Sequence, residues 1–130
     1  TEVQKINPVF KIYGTNYKTN DGTCIRDYIH VSDIAEIHYK VLEKINKIKQ
    51  SKILNCGYAK GISVLQVINE FKKYANKQFK IQRLNKRRGD MVKIIANNYD
   101  LKKFINWKPK YNKLSTIVKS CIKWEKITNR

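Results

Sequence analysis

Asp21-Gly22-Thr23-Cys24-Ile25-Arg26-Asp27-Tyr28-Ile29-His30-Val31 is the most informative stretch of this sequence. Gly22 marks a turn, and we expect the residues from Ile25 to Val31 to be extended. Ser32 follows as the predicted N-cap of a helix, and Asp33 places negative charge in the first helical turn, where it suits the helix dipole. Arg26 therefore stands between a glycine turn and a helix start, a position that suits the binding of an anion.

Outward from this stretch, strand and helix patterns alternate along the chain, which predicts one α/β unit. The predicted strands are Val9–Tyr13, Lys52–Asn55, Phe79–Leu84 and Ile94–Ala96, and Ile25–Val31 is predicted to be extended. The predicted helices begin at Ser32, at Ser63 with a capping box to Gln66, at Asn98 and at Asn112. The helices have wide apolar faces, whereas the strands are few and short. We therefore expect upstream chain or another subunit to supply part of the core.

The composition excludes several classes of protein. A chain of 130 residues makes one domain, and it contains no run of about 18 apolar residues, so we expect no membrane partner. The three cysteines form no CxxC pair, and the two histidines lack partners at ligand spacing. We therefore expect neither a disulfide framework nor a metal site, and a reducing cytoplasm fits.

The formal net charge of +18 has two explanations. Proteins that bind nucleic acid are rich in Lys and Arg, which neutralise phosphates. Here the basic residues are mostly Lys, are spread along the whole chain and form only short clusters such as Lys86-Arg87-Arg88. We favour ordinary solvent-facing lysines and do not expect nucleic acid as a partner. The same field would also steer a doubly charged pyrophosphate.

Two basic loops contain the candidate binding residues. Arg26 follows the Gly22 turn, and Arg87 precedes Asp90 by three residues in Lys86-Arg87-Arg88-Gly89-Asp90. An arginine fork binds a phosphate through two parallel hydrogen bonds, Gly89 permits close backbone approach, and Asp90 can accept from a hydroxyl group. These features describe a clamp for a nucleoside diphosphate. On spacing alone, two surface arginines in ordinary salt bridges with Asp27 and Asp90 explain the pattern better.

Five motifs, in order, resemble those of the UDP-glucose 4-epimerases, NAD-dependent enzymes of the extended short-chain dehydrogenase/reductase family. They are Ile12-Tyr13-Gly14-Thr15-Asn16-Tyr17, Asp21 to His38, Asn55 to Val64, Arg87-Arg88-Gly89-Asp90, and Trp107-Lys108-Pro109-Lys110-Tyr111 with the final helix. The resemblance covers nearly the whole chain. It implies interconversion of UDP-glucose and UDP-galactose through a 4-keto intermediate, with NAD as the cofactor.

The resemblance also implies roles for individual residues in binding the substrate. Arg26 and Arg87 would hold the UDP diphosphate, in a loop that includes Arg88 and Gly89, and Asp90 would hold the ribose. The run Lys11, Ile12 and Tyr13 would lie along the uracil. Ile94 occupies the position that lines the sugar pocket, where some family members carry an aromatic residue. If Ile94 lines that pocket, it leaves room for an N-acetyl group, whereas the alternative is an ordinary core residue of a strand.

The chain departs from the family in its N-terminal part. The Gly-x-x-Gly-x-x-Gly dinucleotide loop is absent from the sequence. We also expect the catalytic Tyr-x-x-x-Lys to be missing, since neither Tyr39 nor Tyr74 begins one. Residues 1–130 thus resemble the C-terminal UDP-sugar-binding portion of a longer epimerase, lacking most of the Rossmann domain. NAD would then be bound by the missing N-terminal domain, no catalytic residue would lie in the chain, and the isolated chain would be inactive.

Other interpretations remain open. The resemblance is compatible with another NDP-sugar epimerase or dehydratase of the family, and with a homodimer of the full-length protein. Outside that class, a non-catalytic UDP-binding module and a basic nucleic-acid-binding domain are the alternatives. The amino-acid sequence from Asp21 to Val31 favours the hexose epimerase among these alternatives.

Overall fold

The computed structural model describes residues 9–75 and 78–128. Within these ranges, strands and helices alternate. The strands are β1 (Val9–Tyr13), β2 (Ile25–Arg26), β3 (Ile62–Ser63), β4 (Lys80–Leu84) and β5 (Lys93–Ile94). The helices are α1 (Val31–Leu42), α2 (Val64–Tyr74), α3 (Tyr99–Ile105) and α4 (Leu114–Thr128), with a short 3₁₀ turn at Ile45–Lys47.

The strands form two small sheets whose arrangement brings the basic loops together. β1 and β4 pair in parallel, with Tyr13 opposite Leu84. β2 is the centre of the other sheet, antiparallel to β3 and parallel to β5, so Arg26 lies opposite Ile94. The connection from β4 to β5 contains Arg87. It leaves one sheet and enters the other beside Arg26.

Asp27 ties the Asp21–Val31 stretch to two distant loops. Its carboxylate accepts hydrogen bonds from the backbone N–H groups of Tyr58 (3.0 Å), Ala59 (2.9 Å) and Ala96 (3.4 Å). Ala59 has a φ of +56°, a left-handed conformation that few residues other than glycine adopt. Three backbone donors around one carboxylate hold this unusual loop in place.

Asp33 anchors α1 to the turn before α4. Its carboxylate is fully buried and accepts from the Tyr58 hydroxyl and from the backbone N–H groups of Lys110 and Tyr111, both at 3.0 Å. Burial, together with the bond to Asp33, raises the pKa of Tyr58 well above its usual value. A buried carboxylate is costly unless it is hydrogen-bonded, so these three donors fix the position of α1.

The local predictions at the start of α1 need correction. Ser32 is not the N-cap, because α1 already begins at Val31 and its N-cap is His30. The His30 Nδ1 atom accepts from the backbone N–H of Ser32 at 3.1 Å. Within the stretch predicted to be extended, Ile25–Val31, only Ile25–Arg26 pairs as a strand, and Val31 already belongs to α1.

Of three further local predictions, the two helix starts are confirmed and the strand is not. The predicted strand Lys52–Asn55 has no strand partner among the described residues, and Ile53 is 97% exposed. The helix predicted from Asn98 is confirmed, although the Asn98 side chain does not cap it and instead donates to the carbonyl of Gly57 at 2.7 Å. The capping box at the start of α2 is confirmed.

The core has two parts that leave other apolar surface uncovered. One cluster lies between α1 and α3 and comprises Ile37, Leu101, Ile105 and Trp107. On the other side β1 packs against α2, where the rings of Phe10 and Phe71 lie 6.0 Å apart. Several large apolar side chains remain exposed, including those of Leu42, Ile53, Trp124 and Ile127. That upstream chain or another subunit covers them stays a prediction. Among the described residues, no helix is long and apolar enough to cross a membrane.

The carboxylate of Asp21 makes folding stability dependent on pH. Partial burial alone raises the pKa of Asp21, but hydrogen bonds from Ser63 and Thr23 outweigh it and hold the pKa below its usual value. A carboxyl group with a lowered folded-state pKa contributes stability above its unfolded pKa of about 4 and loses that contribution at lower pH. We expect urea unfolding from pH 7 to pH 3 to show a loss of stability that Asp21→Asn reduces. An equal pH dependence in the variant would contradict this assignment.

Candidate phosphate-binding site

The loop between β4 and β5 folds back on itself through one ion pair. The Arg87 Nε atom donates to Asp90 Oδ2 at 2.9 Å, and its Nη2 atom donates to Oδ1 at 3.3 Å. Gly89 has a φ of +86°, which a glycine adopts without strain. The Arg87 guanidinium also lies over the Tyr13 ring, 4.6 Å from its centroid. The bond to Asp90 raises the pKa of Arg87, which stays fully charged.

Arg26 approaches the same carboxylate from the other sheet. Its Nη1 atom donates to the carbonyl oxygens of Ile25 (2.8 Å) and Met91 (2.9 Å). These bonds direct Nη2 towards Asp90 Oδ1, which lies 3.9 Å away. The two predicted arginines, 61 positions apart in the chain (87 − 26), therefore meet at one carboxylate.

A cleft of about 290 Å³ lies beside this cluster. It is lined by the end of β1, the segment after the Gly22 turn, the first residue of α2 and Arg87. The lining residues are Lys11, Ile12, Tyr13, Gly14, Thr23, Cys24, Val64 and Arg87. Lys11, Ile12 and Tyr13, the residues predicted along the uracil, thus share a cleft with one of the two arginines. Thr23, Cys24 and Val64 were not predicted as site residues. They are small or apolar, and no side-chain chemistry distinguishes them in the sequence.

The remaining predicted site residues lie around this cluster with different exposure. Arg88 and Gly89 are exposed. Arg88 makes no hydrogen bond or ion pair to another of the described residues. Ile94 lies opposite Arg26 in the β2–β5 ladder, and its side chain is 50% exposed. Ile94 therefore does not belong to the core formed by the described residues, and whether it lines a sugar pocket stays a prediction.

The interpretation that Arg26 and Arg87 form ordinary surface salt bridges is correct for one of the two arginines. Asp90 pairs with Arg87, as that interpretation expects, but it also lies near Arg26. No Arg26–Asp27 pair exists in the described part of the chain, because the Asp27 carboxylate is occupied by backbone donors. The two arginines are consequently linked to one another through Asp90, which surface salt bridges at separate positions would not produce.

The sequence does contain one Tyr-x-x-x-Lys, from Tyr99 to Lys103, so the expectation that this spacing is missing is wrong. Both residues lie on α3 and are exposed. Lys103 lines a separate cleft of about 690 Å³ with Lys44, Lys47, Lys52, Ile53, Leu54, Asp100 and Phe104. That cleft shares no lining residue with the cleft beside Arg87. The Tyr99–Lys103 pair is thus not part of the candidate site.

Known proteins that are similar to this chain are epimerases of nucleotide sugars. The profile of the NAD dependent epimerase/dehydratase family matches residues 5–57, which include Arg26 and the cleft residues of β1. A UDP-glucose 4-epimerase from Azospirillum brasilense is 38% identical over 119 residues, or 92% of this chain and 34% of that protein. The chain is similar to this family in its first part and to UDP-glucose 4-epimerases over most of its length.

Solved structures of this family share the fold. The UDP-Glc/GlcNAc 4-epimerase from Campylobacter jejuni matches with a TM-score of 0.81 and 39% identity, covering 92% of this chain and 36% of that one. A UDP-glucose-4-epimerase from Stenotrophomonas maltophila, with bound NAD and formylated UDP-arabinopyranose, matches with a TM-score of 0.90 and 29% identity. It covers 99% of this chain and 38% of that one. The predicted α/β fold is confirmed. The chain spans about a third of the length of the curated relatives it matches.

Proposed function

We propose that this chain binds the UDP part of a nucleotide sugar and supplies the substrate-binding portion of a UDP-glucose 4-epimerase. The observation that carries the proposal is the convergence of Arg26 and Arg87, two permanently charged forks from separate loops, beside a cleft lined by Tyr13. Two forks match the two phosphates of a diphosphate, and the aromatic ring offers a stacking surface for a base. Isothermal titration calorimetry of the chain with UDP tests the proposal. No measurable heat of binding at millimolar UDP would reject it.

The residues described here do not fit NAD. A dinucleotide needs a glycine-rich turn that opens onto a free helix N-terminus. The N-terminus of α1 is capped by His30, and that of α2 is closed by the Ser63–Gln66 capping box. We propose that NAD is bound by another part of the polypeptide, as the similarity to the NAD dependent epimerase/dehydratase family supports, and we assign no step of the reaction to these residues. A cytoplasmic setting is part of the same proposal, supported by three free cysteines.

The role of this chain in catalysis is then to hold UDP firmly while the sugar reacts elsewhere. Charge-assisted hydrogen bonds contribute about 1.5–3 kcal/mol each, so two arginines provide substantial binding energy far from the reacting carbon. Such remote binding energy positions the sugar and keeps it in the site while it turns between its two faces.

We expect the isolated chain to show no epimerase activity. Neither a fit to NAD nor a Tyr-x-x-x-Lys beside the arginines is present among the described residues. Purified chain is incubated with UDP-galactose and NAD, and UDP-glucose formation is measured against buffer. Turnover above the buffer control would contradict the prediction. If Tyr99→Phe then abolished that turnover, the activity would be assigned to Tyr99 and Lys103 on α3.

A second proposal concerns which sugar the full-length protein accepts. Ile94 is half-exposed beside Arg26, and an aliphatic side chain there leaves more space than an aromatic one. The similar Campylobacter jejuni enzyme is described as a UDP-Glc/GlcNAc 4-epimerase. We propose that the full-length protein accepts UDP-N-acetylglucosamine as well as UDP-glucose.

A further inference from the structure

The outer side of α4 exposes two large apolar side chains. Trp124 and Ile127 are three positions apart, so they are neighbours on the helix surface. Trp124 is 64% exposed and Ile127 is 56% exposed, whereas Val118 and Ile122 on the other side of the helix are buried. The tryptophan and the isoleucine therefore form a small apolar strip that faces solvent.

A row of lysines borders this strip. Lys119, Lys123 and Lys126 follow one another at intervals of about one helical turn, and all three are exposed. Neither Lys123 nor Lys126 forms an ion pair with another of the described residues. Like charges at this spacing destabilise a helix, and an anionic partner would offset the repulsion. The row is therefore better suited to α4 with a bound anion than to α4 alone.

The end of α2 extends the basic surface. The Nζ atoms of Lys73 and Lys119 lie 5.2 and 4.5 Å from the centroid of the Tyr74 ring. Tyr74, Ile122 and the three lysines of α4 line a groove of about 290 Å³ where the two helices meet. We call the whole patch the α2–α4 surface, which comprises Lys73, Tyr74, Lys119, Lys123, Trp124, Lys126 and Ile127.

The chemistry of this surface fits an anionic lipid headgroup layer. Tryptophan combines an apolar ring with an N–H donor and is enriched where headgroups meet acyl chains. Lysine packs its aliphatic stem along apolar surface while its ammonium group reaches the polar layer. A helix that presents both kinds of side chain to solvent can lie in the plane of such an interface.

Other polyanions and protein partners fit this surface less well. All four of its basic residues are lysines, whereas arginine is the residue better suited to nucleic-acid recognition. The Tyr74 ring is contacted by two ammonium groups, so it is not a free platform for stacking a base. Two exposed apolar side chains are too few for the core of a stable protein interface, which buries about 800 Å² on each partner.

We propose that the α2–α4 surface binds anionic phospholipid membranes, with Trp124 and Ile127 entering the interface and the lysines contacting lipid phosphates. The expectation of no membrane partner rested on the absence of a spanning segment, and a helix that lies on a membrane needs none. The lysines attract the protein to the negative surface, and burial of the apolar strip holds it there. No residue of the α2–α4 surface lines the cleft beside Arg87, so membrane binding leaves the candidate phosphate-binding site free.

The fluorescence of tryptophan tests whether α4 enters the lipid. The 130-residue chain has two tryptophans, of which Trp107 is 2% exposed and Trp124 is 64% exposed. A blue shift of the emission on addition of phosphatidylglycerol vesicles would therefore report on Trp124. We expect this shift at low salt, its loss in Trp124→Phe, and no shift with neutral phosphatidylcholine vesicles. Absence of a shift with phosphatidylglycerol would overturn the proposal.

Vesicle sedimentation tests the lysines. A triple variant replaces the row on α4 by glutamine: Lys119→Gln, Lys123→Gln and Lys126→Gln. Each lysine near an anionic surface contributes about fivefold to binding, so the triple variant should bind phosphatidylglycerol vesicles on the order of a hundredfold more weakly. Its affinity for UDP and its circular dichroism should match the wild type, because the three side chains are exposed and lie outside the cleft beside Arg87.

A second triple variant is the matched control. It removes the same charge from exposed positions on other segments: Lys60→Gln, Lys102→Gln and Lys108→Gln. This variant should bind the vesicles nearly as well as the wild type. Equal weakening in both triple variants would show general attraction to a basic protein and overturn the proposal.

Two further outcomes would also overturn the proposal. Tighter binding to duplex DNA than to vesicles, lost only in the α4 variant, would assign the surface to nucleic acid. Sedimentation of the 130-residue chain but not of the full-length protein would show that the rest of the polypeptide covers the α2–α4 surface. We expect both proteins to sediment with phosphatidylglycerol vesicles, and DNA to bind more weakly than the vesicles do.

Discussion

Replacing Arg87 by alanine should weaken UDP binding roughly tenfold to over a hundredfold, and Arg26→Ala should have an effect in the same range. Each substitution removes one charge-assisted contact to a phosphate, worth about 1.5–3 kcal/mol. The Arg87 side chain is 61% exposed, and its partners are the side chains of Asp90 in its own loop and Tyr13 in β1. We therefore expect Arg87→Ala to lower affinity with little loss of thermal stability.

Arg26 differs because it also holds the backbone. Its bonds to the carbonyls of Ile25 and Met91 join β2 to the loop that precedes β5. Arg26→Ala should thus lower both the affinity for UDP and the melting temperature. Calorimetry with UDP and thermal unfolding by circular dichroism separate these two effects.

Arg83→Ala is the control for the arginine variants. Arg83 is an exposed residue of β4, so its loss changes the net charge by the same amount without touching the candidate site. Wild-type affinity in both Arg26→Ala and Arg87→Ala would show that the arginines form no phosphate clamp. Equal weakening in all three variants would instead indicate general attraction of an anion to a basic protein.

The sequence predicted those parts of the fold that depend on local chemistry. The capping box at Ser63 and the strand at Val9–Tyr13 each follow from side chains within a few positions of one another. Two predictions failed for different reasons. His30, not Ser32, caps α1, because its ring accepts from the backbone N–H of Ser32, a local bond that the preference for a serine cap overlooked. The segment Lys52–Asn55 has strand composition, but pairing needs a neighbour, and none lies in the described part of the chain.

The candidate site, too, could be predicted from the sequence only in part. Arginine chemistry and the family resemblance selected Arg26, Arg87 and Asp90, and the structure brings them to one place. The sequence could not show that Asp27 is taken up by backbone donors, since those donors come from loops about 30 and 70 residues away (58 − 27 and 96 − 27). Nor could it show that Asp90 is shared by two arginines, because this depends on the crossing from β4 to β5 beside β2.

Replacing Ile94 by tyrosine should selectively reduce activity on UDP-N-acetylglucosamine in the full-length enzyme. Ile94 lies opposite Arg26 with half of its side chain exposed, so a larger residue at this position extends into open space beside the arginine. A misfit of one methylene group costs about 1–3 kcal/mol in a pocket, and an acetyl group is larger than a methylene. The ratio of kcat/KM for the N-acetyl sugar to that for UDP-glucose should therefore fall at least tenfold.

The measurement is that ratio in the wild type, in Ile94→Tyr and in Ile94→Val. Valine keeps the aliphatic character and small size of the side chain, so its ratio should remain at the wild-type value. Because Ile94 lies at an exposed edge of the β2–β5 pair, neither substitution should alter the core or the affinity for UDP itself. If Ile94→Tyr leaves the ratio unchanged while UDP still binds, Ile94 does not determine the sugar specificity.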